Sequence, residues 1–402
     1  FARIYTPVVV FLSIITAFVL PFVYQALGNP DPYMTILMGG GHNGEHGTLY
    51  SALTFLVISC PCALVLSVPL AFFSGIGAGS KYGILFKGGI AMEALKNVQA
   101  VIMDKTGTVT KGNFVVQHVH PHNGVSEEEL LAVCAGAEQI SSHPIAVSIV
   151  SEAKEKGLKL NRPDSFEEIA GHGLVAKFGD DVVLCGNKNL MIKYDIDITE
   201  YDVDTYGSEV LVARNGKYLG EIEVNDTLKE DAKESIAKLK KLGLVTVMLT
   251  GDGERQAQAV AEEAGIDEVR AKLLPQDKLS NLNTLRNKYG PVMFVGDGIN
   301  DAPVLAGADA GAAMGSGADA AIEAADVVFM NSEVKCIPQA IAIARNTGEI
   351  AWQNVVFALA VKVVIMIAGM FGYASMWAAI FADTGVSLLC VLNSIRILYK
   401  KV

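Results

Sequence analysis

Two long stretches near the start of the chain carry no charged side chain, Ile4 to Pro30 and His46 to Ser80. Each exceeds the about 20 residues that a helix needs to cross a bilayer, so the pattern predicts spans near 7–27 and 50–74. Near the end, Lys362 and Asp383 are the only charges between Glu349 and Arg396. The break from Gly369 to Ser375 divides that stretch into spans near 351–371 and 375–397. The expectation is four transmembrane helices in two hairpins.

Residues 81–345 read differently. β-Branched strand candidates at Ala100–Met103, Val245–Thr250 and Val292–Val295 alternate with Ala/Lys/Glu-rich helical segments, the pattern of a parallel α/β sheet. Within this stretch, 115–225 has a helix near 127–155 followed by short strands at Gly171–Phe178, Val182–Gly186 and Glu209–Gly220. This predicts a smaller α+β domain inserted into the α/β domain. The expected order is a membrane hairpin at 1–80, the α/β domain at 81–114 and 226–345, the insertion at 115–225, and a second hairpin at 346–402. Lys81, Lys87 and Lys96 follow the second span and Lys400 and Lys401 follow the fourth, which puts 81–345 in the cytoplasm by the positive-inside rule. No small-residue cleavage pattern follows the first apolar run, so a cleaved signal peptide is not expected.

Composition agrees with a part-membrane, part-globular chain. Over 402 residues, 51% are hydrophobic and 19% charged, and the mean hydropathy is +0.36. Lys and Arg number 32 against 43 Asp and Glu, a net charge of −11, which argues against a nucleic-acid partner. Six cysteines are too few for a disulfide framework in a chain of this length, and two of them, Cys60 and Cys62, are separated only by a proline.

Three predicted strands end in small and acidic residues. Asp104-Lys105-Thr106-Gly107-Thr108 follows the first, Thr250-Gly251-Asp252 closes the second, and Gly296-Asp297-Gly298-Ile299-Asn300-Asp301 closes the third. Carboxyl ends of parallel strands are where α/β sheets place their sites. Glycine permits close backbone approach, threonine donates a hydrogen bond, and Asp297 and Asp301 offer hard oxygen ligands suited to magnesium. Lys278 could offset phosphate charge. Taken singly, each aspartate could be a loop residue capping a turn. Together they are specific.

In the membrane part, Pro61 opens the second span between Cys60 and Cys62, so both thiols could face one cavity. Lys362 and Asp383 are intramembrane ionisable residues, read as functional unless they form a structural ion pair. Two thiolates and one carboxylate, offset by one lysine, leave a deficit that a divalent ion fills. A sulfur and carboxylate set suits zinc better than copper(I).

The motifs resemble those of P-type ATPases with a haloacid-dehalogenase-like phosphorylation domain, specifically the heavy-metal branch marked by Cys60-Pro61-Cys62. The resemblance implies that Asp104 takes the γ-phosphoryl group of ATP, that Thr106 and Asp297 complete a Mg²⁺ site with it, and that Lys105, Thr250, Gly251, Asp252 and Lys278 serve the phosphoryl group. It implies a nucleotide pocket of Glu138, Ser142-His143-Pro144 and Gly171-His172-Gly173, with His143 against adenine and Gly171 and Gly173 letting backbone approach the nucleotide. Cys60, Cys62 and Asp383, with Lys362 as charge partner, would hold the transported ion. Lys362 after Gln353-Asn354, and Asp383-Thr384-Gly385, resemble the zinc, cadmium and lead subgroup. The implied whole is a multidomain membrane protein of the cell membrane that exports these ions at the expense of ATP. Copper(I) export, a membrane-anchored phosphatase of the same fold, and a non-catalytic remnant stay open as alternatives.

An actuator segment, which that family uses for dephosphorylation, is not expected in the chain, so phosphorylation is expected to be poor and release slow in this polypeptide alone. His42 and His46, near Glu45, are either an exit site for zinc or a polar turn. Cys390 is expected to pack, and Cys134, Cys185 and Cys336 have no companion ligands in the sequence pattern.

Overall fold

A computed structural model describes residues 2–26, 62–199, 208–370 and 376–400, with positions 49, 52, 53 and 56. Cys60, Pro61, His42 and His46 lie outside the described residues, as does the Cys62 side chain. The chain divides into two units, Val98–Pro338 and the two flanking segments Phe1–Asn97 with Gln339–Val402.

In the first unit, parallel strands run in the order Val327–Phe329, Ala310–Met314, Val292–Gly296, Ala100–Asp104, Val245–Leu249, Glu268–Arg270. The central strands are buried on both faces, which is why they read as continuous apolar runs. Ile102, Val247, Phe294 and Val292 form the core with Leu282 and Leu285 from the helix Pro275–Tyr289. Register puts Met103 beside both Val295 and Met248, and Asp104 beside Leu249. The three motif-bearing strands therefore end side by side.

An antiparallel sheet interrupts this order in sequence, in the order Thr110–Pro121, Lys217–Leu228, Ser208–Arg214, Asp181–Gly186, Gly173–Phe178, Ser165–Ile169. Its core joins Leu174, Val212, Ile222 and Val224 to Leu130, Leu131 and Ile149 from the overlying helices.

The single helix expected near 127–155 is instead two, Glu127–Glu138 and Pro144–Glu155. Ser126 Oγ accepts from Glu129 N at 3.2 Å at the first start, with three glutamates in the first turn. At the second start, His143 Nδ1 accepts from Ile145 N at 3.3 Å and Pro144 takes the first helical turn. Proline fits there because it needs no amide partner, and it disfavours continuation through the residue before it. Over Glu209–Gly220, where short strands broken by Gly and Asn are expected, Ser208–Arg214 and Lys217–Leu228 form a hairpin that turns at Asn215 and Gly216, both with positive φ.

In the other unit, Cys336–Ala368 and Phe381–Tyr399 are long and apolar enough to cross a membrane. Pro7–Val23 and Val65–Ser80 are shorter apolar helices. Of the four expected spans, two thus meet the length criterion among the described residues. Asp383 lies in a π-helical turn, Phe381–Gly385, inside its span. Asn354 ties the two long helices together, donating to Cys390 O at 3.1 Å and to Ser394 Oγ at 2.9 Å. Cys390 is buried against Ala358 and Val386, the packing position expected of it.

Candidate active site

Asp104 stands at the carboxyl end of its central strand, where the backbone turns at Gly107 with φ +72°. A Cβ at Gly107 would collide with the Asp297 carboxylate, so only glycine lets the two loops approach this closely. Carboxylate oxygens of Asp104, Asp297 and Asp301 all lie within 4.8 Å of one another. Lys278 Nζ donates to Asp104 Oδ1 at 2.7 Å and to Asp301 Oδ1 at 2.8 Å. Its helix starts just upstream, where Asp277 Oδ2 accepts from Leu274 N at 3.1 Å and Pro275 occupies the first turn.

Charge is unevenly matched here. Burial, then the Asp301 charge, pushes the Asp104 carboxyl up to about 7, although Lys278 pulls the other way. Burial and Asp301 also raise Asp297. Burial works against the Lys278 ammonium, but Asp104 and Asp301 outweigh it and hold its pKa up. Three clustered carboxylates, a shortage of cations and hard oxygen donors suit a small divalent cation such as magnesium.

The second strand end lies next to Asp104, which pairs with Leu249 in the sheet. Thr250 is buried, its hydroxyl accepts from Asp252 N at 3.1 Å, and its amide donates to Arg270 O at 3.0 Å. Lys105 is buried and ion-paired with Asp252, so these two predicted site residues meet each other. Thr106 is exposed beside them and Gly251 lies against Leu273 O. Sequence reasoning missed Lys229, whose ammonium donates to Gly107 O at 2.6 Å and to Ser332 O at 2.8 Å, fixing the turn after Asp104. It also missed Asp226, which accepts from the buried Thr110 hydroxyl where the antiparallel sheet departs.

In the inserted sheet and its helices, Glu138 is buried at the end of its helix. Burial, then the Glu168 charge, pushes its carboxyl up to about 7. Glu168 accepts from Ser141 Oγ at 2.9 Å, and Ser141 Oγ accepts from His143 N at 3.2 Å. Gly171 adopts φ +74° in a turn with open space where a Cβ would stand. Gly173 is pressed against the backbone of Cys185 and Gly186.

Two of the cysteines without an expected companion do have one. Sulfurs of Cys134 and Cys185 and a carboxylate oxygen of Glu138 lie within 4.8 Å of one another. Nothing in local spacing pairs Cys134 with Cys185, which come from a helix and a strand distant in sequence. In the membrane unit, Lys362 Nζ lies 3.5 Å from Asp383 Oδ1.

Residues 98–309 match a family model described as a haloacid dehalogenase-like hydrolase. The chain is 47% identical over 406 residues to a cadmium, zinc and cobalt-transporting ATPase of Bacillus subtilis (strain 168), covering 100% of this chain and 55% of that protein. It is 37% identical to the crystal structure of a zinc-transporting PIB-type ATPase in its E2.Pi state, with a TM-score of 0.83, covering 99% of this chain and 63% of that one. The catalytic domain of the CPx-ATPase CopB-B, studied on nucleotide binding, is 30% identical with a TM-score of 0.56, covering 66% of this chain and 98% of that one. The strand order and the aspartate cluster lie within the part of the chain that matches the haloacid dehalogenase-like model. The chain belongs to the haloacid dehalogenase-like hydrolases and, within them, to the heavy-metal P-type ATPases. It spans about half the length of the curated relatives it matches, 55% for the Bacillus protein.

Proposed function

We propose that the chain is the catalytic and ion-binding portion of an ATPase that exports zinc, cadmium or lead across the cell membrane. The observation that carries this reading is Asp104 at a parallel strand end, 2.7 Å from Lys278 and clustered with Asp297 and Asp301. An Asp104 carboxylate oxygen attacks the γ-phosphorus of ATP, the bond to the β–γ bridging oxygen breaks, and ADP leaves. The product is an acyl phosphate on Asp104.

Lys278 holds Asp104 in place and then meets the charge gathering on the phosphoryl oxygens. Thr250, Gly251 and Asp252 line the phosphoryl group from the second strand end, and Lys105 fixes Asp252. Asp104, Asp297 and Thr106 would hold Mg²⁺, which when bound supplies positive charge over the transferred group. Glu138, His143, Gly171 and Gly173 receive the nucleotide, a role in keeping with nucleotide binding by the related CopB-B catalytic domain.

The cargo site is assigned to Cys60, Cys62 and Asp383, with Lys362 neutralising the carboxylate when the ion has left. The 3.5 Å Lys362–Asp383 pair supports that exchange. Four membrane spans with 81–345 on the cytoplasmic side, and an inserted nucleotide domain near 115–225, complete the arrangement. Transfer of labelled γ-phosphate from ATP to the chain tests the reading. Asp104→Asn is expected to abolish the label while nucleotide still binds, whereas label in that variant removes Asp104 as the acceptor.

A further inference from the structure

A second cluster of soft donors lies where the helix Glu127–Glu138 packs on the inserted sheet. Cys134 and Glu138 are four residues apart on one helix, so they share a face. Cys185 reaches the same point from the strand Asp181–Gly186. The three ligand atoms lie within 4.8 Å of one another, both cysteines are fully enclosed, and neither is in a disulfide. We propose that Cys134, Cys185 and Glu138 form a binding site for a thiophilic divalent ion, cadmium or zinc, separate from the membrane path.

The donor chemistry carries the assignment. Two thiolates neutralise a divalent ion without help from solvent, which matters because both cysteines belong to the buried apolar cluster that includes Leu131, Leu174 and Ile222. Sulfur donors select soft ions over magnesium, and three protein ligands leave one coordination position open. Glu138 ends its helix and is the least enclosed of the three at 7% exposure, so the ion enters past its carboxylate. Binding releases the two thiol protons and any proton on the Glu138 carboxyl to solvent, and no oxidant is needed.

The site also touches the nucleotide region. Cys185 carries the backbone against which Gly173 is pressed, and Glu138 belongs to both groups of residues. An ion held here therefore takes Glu138 from the nucleotide, so that excess cytoplasmic metal weakens ATP binding, and ATP weakens metal binding equally. This coupling rests on the proposed nucleotide pocket, whereas the metal site does not.

The test uses the full 402-residue chain carrying Cys60→Ser and Cys62→Ser, with cadmium chloride as the probe. Dialysis is expected to leave one cadmium per chain with thiolate-to-cadmium ultraviolet absorption. Adding Cys134→Ser or Cys185→Ser should weaken binding on the order of 100-fold and abolish the absorption. Glu138→Gln keeps both thiols packed and should weaken binding by about 10-fold, which guards against loss through misfolding. No retained cadmium in the Cys60→Ser, Cys62→Ser chain overturns the site, as does unchanged binding without Cys134 and Cys185. If cadmium binds but leaves ATP affinity unaltered, the coupling through Glu138 is overturned and the metal site stands.

Discussion

Lys278 and Asp104, far apart in sequence, meet at 2.7 Å across the strand ends of the parallel sheet. The same ammonium lies 2.8 Å from Asp301, so one lysine bridges carboxylates from two loops. Removing it leaves Asp104, Asp297 and Asp301 facing each other in a buried place. Lys278→Ala should slow phosphorylation by about 100-fold. Lys278→Arg should not restore it, because a planar guanidinium cannot replace a compact ammonium between two fixed carboxylates. Single-turnover label transfer measures both, and a near-normal rate in either variant contradicts this role.

Gly107 is the second dependence of the cluster. Its φ of +72° and its contact with Asp297 both exclude a side chain. Gly107→Ala should cost about 1 kcal/mol for backbone conformation alone and more for displacing Asp297. Thermal unfolding should show the loss, and phosphorylation should fall with it. A stable, active Gly107→Ala chain would show that Asp297 need not approach this turn.

Glu268 gives a pH dependence in the same unit. Burial opposes its ionisation, but Lys288 at 2.8 Å, Tyr289 at 2.6 Å and Arg270 at 2.6 Å outweigh burial and pull its carboxyl down to about 2. A depressed carboxyl stabilises the fold above its unfolded value near 4.5, and that contribution is lost as pH falls toward about 2. Glu268→Gln should therefore be less stable than the parent at neutral pH, with the gap closing between about pH 4.5 and 2. Denaturant midpoints across that range check it, and a constant gap contradicts the ionic origin.

How much of this was legible in the sequence follows from where each interaction comes from. Asp104, Thr250 and Asp297 were visible because each ends an apolar β-branched run, a strictly local signal. The Lys105–Asp252 pair and the meeting of Cys134 with Cys185 depend on sheet register and helix packing, which no local pattern encodes. The break between Glu138 and Pro144 has a local signal, because Ser142-His143-Pro144 taken alone reads as a helix start, and His143 and Pro144 do impose one. Lys229 was silent for another reason: its partners are backbone carbonyls of Gly107 and Ser332.

The Lys362–Asp383 pair separates structure from transport. Losing one partner leaves a lone charge among apolar helices, a cost of about 3 kcal/mol, whereas losing both is much milder. Lys362→Met should lower thermal stability, and Lys362→Met with Asp383→Asn should recover most of it. If Asp383 is a cargo ligand, the double variant should still fail to bind zinc while Asp383→Ala barely affects copper(I). Full zinc affinity in the double variant would reduce the pair to a structural lock.

An aspartyl phosphate on Asp104, linked to a divalent cargo, is the step on which transport by this chain would depend. It is tested most directly by incubating the purified chain with γ-labelled ATP and magnesium, with zinc, with copper(I) or with neither, then treating with hydroxylamine. Label is expected at Asp104, increased by zinc, not increased by copper(I), and removed by hydroxylamine. Label that resists hydroxylamine, or that forms equally whichever metal is present, would contradict it.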